Sequence, residues 1–325
     1  MELTVENAGS YLRSRGIRVV RVRELGGGVS NTVLQVETDE GPLILKQSLP
    51  QLRVKDEWLA DRSRIWRERQ GIIDAATFWP AGSVPKVLWE DPSNHLFAMS
   101  AVDGRSWKEQ IFSGVFDREV ARQTGALLGT LIRSTWNHPI YQEKYGDQTA
   151  FDQLRIDPYY RCIARRHADI ARHVAELIAE SSERRLSLVH GDWSPKNVLV
   201  RPDGLTVIDF EVVHFGDPSF DAAFCLNHLL LKWFCLPRQQ PALKALMIAF
   251  WSGLFETLPS YASSFMESAA LRHLGCLMLA RVDGKSPVEY LTTEDLQEQI
   301  RGVAKQLICR PPVEFDELMS RITSP

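Results

Sequence analysis

The stretch that most constrains this chain is residues 188–211, where short apolar runs are cut by polar residues that a buried strand has no reason to carry. Leu188 and Val189 lead into His190, Gly191 and Asp192. The apolar run resumes at Val198 after Asn197, and the turn Arg201-Pro202-Asp203-Gly204 joins it to a second run, Leu205 to Ile208, which ends at Asp209. β-branched runs bounded by Pro, Asp and Gly read as strands around a tight turn. Asp192 lies five residues before Asn197, and Asp209 closes the second strand. Two carboxylates and an amide oxygen at strand ends can converge on one point. Hard oxygen donors of this kind suit Mg²⁺ when the ion also holds phosphates. The plainer alternative is a pair of carboxylates capping turns.

The first hundred residues are strand-rich. Segments 19–24, 32–37 and 43–47 alternate or are β-branched, and Asp39-Glu40-Gly41-Pro42 between the last two is a hairpin signal. A charged helical stretch is expected over 56–73, with further strands near 86–89 and 96–101. After Asp103-Gly104 the period changes. Val120, Leu127, Leu128, Leu131 and Ile132 share one face of a helix over 118–136. A second amphipathic helix is expected over 159–180, and from Phe220 the pattern is helical nearly to the end. The fold class is therefore α+β: a small N-terminal lobe, an antiparallel sheet plus helix (1–102), and a larger, mainly helical C-terminal lobe (103–325).

His190-Gly191-Asp192 with Asn197, followed by Ile208-Asp209-Phe210-Glu211, resembles the catalytic and metal-binding segments of the aminoglycoside phosphotransferase and choline kinase superfamily, relatives of the protein kinases. The resemblance implies a two-lobed protein-kinase-like fold and transfer of the γ-phosphate of Mg-ATP to a small-molecule hydroxyl. It makes Asp192 the residue that orients the acceptor, Asn197 and Asp209 the Mg²⁺ ligands, and His190 and Glu211 supporting residues. The glycine run at Gly26, Gly27 and Gly28 precedes Ser30 and Asn31. It lacks the lysine of a phosphate-binding P-loop and leads into a strand, so the P-loop reading fails. In the resembling family it covers the nucleotide phosphates. Lys46, after three apolar residues, would pair with phosphates and be held by a helix glutamate, either Glu68 or Glu57. Ser100, Ala101 and Val102 fall on the hinge, about 99–103, whose backbone reads the base. A serine where relatives often carry glutamate leaves the choice between ATP and GTP open. Asp217 and Asp221 match a segment that braces the catalytic loop, and His214 and His228 are candidates for the substrate's surroundings.

Asp209 and Asp217 are only eight residues apart. A peptide-binding activation segment does not fit there, so the acceptor is expected to be a small molecule: a sugar, an amino alcohol or an aminoglycoside. From Ala222 onward ten acidic residues meet ten Lys or Arg, so there is no acidic surplus to receive a polycation. Arg281, Asp283 and Lys285, in a polar interruption between helices, could face the acceptor or could be a solvated turn. With net charge −3 and dispersed Lys and Arg, neither a nucleic-acid nor an anionic-membrane partner is expected. Five scattered cysteines without a C-x-x-C pair suggest reduced thiols, and no leader or membrane span is expected, which points to the cytoplasm. A catalytically inactive nucleotide-binding regulator is the competing reading. It would need a replacement at Lys46, Asp192, Asn197 or Asp209, and all four are intact.

Overall fold

The structure is a computed structural model that describes residues 1–26, 30–51 and 61–323. The chain forms two compact units, Met1–Gly104 with Arg201–Val212, and Arg105–Val200 with Val213–Pro325. The segment carrying Asp209 and Glu211, late in the sequence, thus groups with the N-terminal residues.

The first unit is built on a five-stranded antiparallel sheet. Its strands are β1 (Val19–Glu24), β2 (Asn31–Thr38), β3 (Gly41–Ser48), β4 (Val87–Asp91) and β5 (Leu96–Ser100), in the order β1-β2-β3-β5-β4. Strand alternation divides the work of its two faces. Leu34, Val36, Leu43, Leu45, Leu96 and Ala98 point to one side and are covered by Leu3, Ala8 and Leu12, the last two on α1 (Val5–Ser14). Thr4 and Asn7 cap that helix reciprocally. Lys46, one residue on from Leu45 and paired with Phe97, is thereby sent to the opposite face. There it meets α2 (Arg64–Ala75). The expected helix start near 56 is corrected: residues 61–63 form a turn before Arg64, and 52–60 lie outside the described residues.

The second unit contains the short β6 (Arg105–Ser106) and α3 (Trp107–Phe112), then α4 (Arg118–Thr135), α5 (Pro139–Tyr145) and α6 (Thr149–Phe151). A π-helix follows over Asp152–Arg161, then α7 (Cys162–Arg166) and α8 (Ala171–Glu183). The single helix expected over 159–180 is therefore overturned. Pro158 sits inside the wide-turn segment, and the chain leaves helical geometry at His167 (φ −131°, ψ 87°). Next come β7 (Ser187–Val189), β8 (Val198–Arg201), β9 (Gly204–Val207, which belongs to the first unit) and β10 (His214–Gly216), with β10 antiparallel to β7 and β6 to β8. The remaining helices are α9 (Ser219–Cys235), α10 (Gln240–Thr257), α11 (Ser260–Asp283), α12 (Glu294–Cys309) and α13 (Phe315–Thr323). Among the described residues no helix is long and apolar enough to cross a membrane.

Helix α9 is buried almost throughout, and α10 packs against α4 at a separation that only glycine allows. A Cβ on Gly253 would lie 2.0 Å from the Arg122 carbonyl oxygen, and one on Gly125 would lie 2.0 Å from that of Phe250. Backbone cannot yield as a side-chain tip can. Gly253→Ala is expected to destabilise the second unit by about 1–3 kcal/mol through overpacking. A lowered urea midpoint with unchanged slope measures it, and an unchanged midpoint would show that the helices part freely.

Candidate active site

In the first unit the site grows from the polar face of β3. Lys46 is 4% exposed, and its ammonium donates to Glu68 Oε1 and Asp209 Oδ1, both at 2.6 Å. Burial works against that charge, but the carboxylates of Asp209 and Glu68 outweigh it and hold Lys46 protonated well above its ordinary range. Burial likewise pushes the Glu68 carboxyl up, to about 7, against the pull of Lys46. Glu57, the other candidate partner for Lys46, lies outside the described residues, as do Gly27 and Gly28.

Asp209 adopts φ +72°, in the left-handed region that costs a non-glycine residue energy and that Asp and Asn tolerate best. That turn lets consecutive residues serve different partners. Asp209 reaches Lys46, Phe210 packs against Trp79 (6.0 Å between ring centroids), and Glu211 accepts from Ser30 Oγ (2.7 Å) and Asn31 Nδ2 (2.8 Å). Arg64 Nε approaches Glu211 at 3.4 Å, and the same guanidinium donates to the carbonyls of Ser30, Leu49 (2.9 Å) and Asp61 (2.9 Å). Ser30 and Asn31 are thus engaged within the protein, at the foot of the glycine run. Arg64 escaped the sequence reading. Its signal was its place four residues before Glu68, on the same helical face.

At the end of β5, where the hinge is expected, the Ser100 N–H donates to the Lys86 carbonyl (2.8 Å), and its hydroxyl accepts from the Lys86 N–H at 2.9 Å. Ala101 N–H donates to Pro42 at 3.4 Å, whereas Val102 N–H has no partner among the described residues. A free N–H following an edge residue is what a base-reading hinge requires.

In the second unit the loop after β7 is held by a buried carboxylate. Asp221, at 0% exposure on the first turn of α9, accepts from His190 N (2.6 Å) and Gly191 N (2.8 Å). Burial pushes it up, to about 7, while those two backbone bonds pull it back. Gly191 takes φ +78°, and Asp192 N–H turns back to donate to His190 Nδ1 (3.1 Å). The Asp192 carboxylate is buried, 4% exposed, and is met by Asn197 Nδ2 (2.8 Å), Lys196 Nζ (3.0 Å) and Arg155 Nη2 (3.3 Å). Asn197 also donates to the Asp192 carbonyl (2.9 Å). Its amide hydrogens are spent on Asp192, so its amide oxygen is the atom left for a ligand. Arg155, which also donates to the Gly191 carbonyl at 2.7 Å, was missed in the sequence. An arginine between Leu154 and Ile156 gave only the faint signal of a charge flanked by two apolar side chains.

Asp217 caps α9 by accepting from Ser219 N (3.0 Å) and Oγ (2.6 Å). His214 stacks on Phe151 at 4.0 Å and lines a cavity of about 650 Å³ with Gln148, Asp152, Arg161 and Arg185. Neither Asp192 nor Asn197 borders that cavity. Arg281 and Asp283 occupy the last turn of α11 instead of an interhelix turn. Arg281 donates to Tyr159 Oη (2.7 Å), Asp283 binds Arg301 (3.0 Å) and His167 (2.9 Å), and Lys285 pairs with Asp157 (3.1 Å).

These units have close counterparts among solved proteins. A spectinomycin phosphotransferase in complex with ADP and spectinomycin aligns with 98% of this chain and 98% of its own at TM-score 0.58 and 12% identity. An amicoumacin kinase in complex with AMP-PNP and Ca²⁺ aligns over 96% and 97% at 0.59 and 16% identity. The architecture is that of the protein-kinase-like small-molecule kinases. The chain belongs to the phosphotransferase enzyme family, whose profile matches residues 21–258. Among curated relatives, methylthioribose kinase 2 of Oryza sativa subsp. japonica is 27% identical over 66% of this chain, which spans only 57% of the rice protein's length. The methylthioribose kinase of Cronobacter sakazakii is 26% identical over 94% of this chain and 92% of its own.

The brace beneath the loop after β7 is open to a direct test. Asp221→Ala leaves two buried N–H groups without acceptors, at a cost of about 1–3 kcal/mol for each. The expected result is a lower urea midpoint together with faster hydrogen exchange at His190 and Gly191. Protection of both amides at the wild-type level would mean that Asp221 does not hold the loop.

Proposed function

We propose that the protein is an ATP-dependent, Mg²⁺-requiring kinase that phosphorylates a hydroxyl group on a small, sugar-type molecule. The observation that carries this reading is the pairing of family membership with an intact set of charged residues in each unit: Lys46, Glu68 and Asp209 in the first, Asp192 and Asn197 in the second. The solved neighbours bear adenine nucleotides, which supports ATP over GTP, and the curated relatives act on a thiosugar by name, which supports a sugar-type acceptor.

In this reading Lys46 neutralises nucleotide phosphate charge, with Glu68 fixing its ammonium. Glu211 anchors Ser30 and Asn31, at the foot of the glycine run expected to meet the phosphates. The hinge at Ser100, Ala101 and Val102 reads adenine through its backbone. The donor chemistry fits Mg²⁺: Asp209 offers a carboxylate oxygen and Asn197 an amide oxygen. Among the described residues no three His, Cys, Asp or Glu form a closed cage, as suits an ion that takes much of its shell from phosphate and water. When bound, the metal would neutralise charge on the transferring phosphoryl group. Asp192 orients the acceptor hydroxyl and receives its proton. His190, Asp217 and Asp221 support that loop from behind.

Two substitutions separate these roles. Asp192→Asn should lower kcat by about 10²–10⁴ while Mg-ATP affinity changes little, because the residue acts on the acceptor alone. A mutant that melts early yet turns over normally per folded molecule would reduce Asp192 to a turn cap. Asp209→Asn keeps the left-handed backbone but removes the charge, so nucleotide binding should lose its dependence on Mg²⁺. Superimposable metal titrations of mutant and wild type would remove Asp209 from the metal site. Kinase assays on hydroxylated metabolites, sugars first, test the activity as a whole.

A further inference from the structure

One face of α9 carries a row of side chains at helical spacing: Asp221, Phe224, His228 and Lys232. The row starts at the carboxylate that holds the catalytic loop and runs away from it at about 1.5 Å per residue, which puts His228 about 10 Å further along the axis. Along that distance the charge is one-sided. Lys232 is 1% exposed, and no carboxylate among the described residues lies within ion-pair distance of it. Its ammonium donates to the His228 carbonyl at 3.0 Å and lies between the rings of Tyr290 (5.3 Å) and Phe112 (5.7 Å). Among the described residues Arg281, from the end of α11, has no carboxylate partner either. It spends itself on Tyr159 and Ser286, and its Nε is buried without a bond. Tyr290 Oη is buried without a bond as well. Lys108 on α3 stands over the same Tyr290 ring at 5.8 Å, and among the described residues its one acidic partner is the exposed Glu289. Lys196, bonded to Asp192, adds its charge from the side of that carboxylate, and burial, reinforced by all four cations, keeps His228 neutral.

Buried cations without counter-ions are costly, and they persist where something else supplies the negative charge. The simplest alternative is a lysine held only by aromatic rings. That alternative leaves the Tyr290 hydroxyl and the Arg281 Nε unexplained. We propose that this face is the distal part of the acceptor site and that the acceptor carries an anionic group, a carboxylate or a phosphate ester, about one sugar length from the hydroxyl that is phosphorylated. Lys108, Arg281 and Lys196 reach solvent and meet the anion, with Lys232 behind them; burial lowers its ammonium to about 7, and an anion in front of it would hold it protonated. The reaction is unchanged by this: the acceptor oxygen bonds to the γ-phosphorus as the bond to the ADP oxygen breaks, and the hydroxyl proton leaves to Asp192. The inference rests on the kinase reading above and narrows its acceptor.

The test uses matched probes that differ in charge: D-ribose against D-ribose 5-phosphate, and ribitol against D-ribonate. Binding is measured by titration calorimetry on the full chain with Mg-ADP present, and transfer by ADP release from Mg-ATP. The phosphate and carboxylate pairs distinguish the two kinds of anion. At least one anionic probe should bind about 10-fold or more tightly than its neutral partner, the worth of one charged hydrogen bond. Lys232→Met, which exchanges the ammonium for an apolar chain among aromatic rings, should bring the two members of that pair together and leave Mg-ATP affinity and the melting temperature in place. Lys108→Ala, at a side chain 30% exposed, should narrow the difference in the same direction, and it decides the matter if the Met variant does not fold. Equal or absent binding within both pairs, or a difference that survives both substitutions, overturns the anionic acceptor while Mg-ATP binding keeps the kinase reading intact. Wild-type protein that binds no Mg-ATP overturns the kinase reading instead.

Discussion

A carboxylate that cannot reach water has to be met by donors, and each unit of this protein is organised around one. In the first it is Glu68, answered by the ammonium of Lys46. In the second it is Asp221, answered by two successive backbone N–H groups. The two solutions differ in what they make rigid. An ammonium on a four-carbon stem fixes a point charge, and Lys46 can then be shared with Asp209. Two N–H groups fix a piece of backbone, so Asp221 sets the direction in which the loop presents Asp192. Neither carboxylate needs to reach the surface to set the geometry of the residues around it.

Where a residue's fate depends on near neighbours in sequence, the chain was legible. Alternation predicted β1, β3 and β5 to within a residue or two, and the face of Val120, Leu127 and Leu131 predicted α4. Lys46 on an apolar strand, Asp192 five residues before Asn197, and Asp209 at a strand end were visible for the same reason. What stayed hidden depends on distant partners. Arg155 and Asp192 are 37 residues apart in the sequence, and Arg64 and Glu211 are 147 apart. No periodicity announces such pairs. The break between the π-helix and α8 was concealed because the apolar pattern continues across it while the backbone does not. Helix α1 was passed over because its apolar positions, Ala8 and Leu12, make a narrow stripe whose purpose appears only when a sheet lies beneath it.

Counting charges along the C-terminal half concealed a division that the fold makes plain. Ten acidic and ten basic residues cancel from Ala222 onward, yet one of the cations is withdrawn from water. Glu294 and Glu298 stand outward with side chains 77% and 72% exposed, whereas Lys232 is turned inward. A helix as fully buried as α9 acts as a sorting device. What it carries is delivered to the interior whatever the overall balance, so its few polar residues define the local field. Net charge speaks to solubility and approach, and the field at a site depends on which side chains the fold withholds from water.

The backbone at Asp209 has a bearing on how this chain could change over generations. A left-handed φ of +72° is one that glycine occupies without penalty, and a single nucleotide change converts an aspartate codon to a glycine codon. At most positions the loss of a buried-site carboxylate would also disturb the local geometry, and cellular proteolysis would remove the product. Here the exchange relaxes the main chain even as it deletes the charge, so the altered protein would pass folding surveillance and accumulate. On the proposed reading of Asp209, a lineage could therefore shed the chemistry at this point and keep the scaffold, reaching a folded but silent descendant in one step.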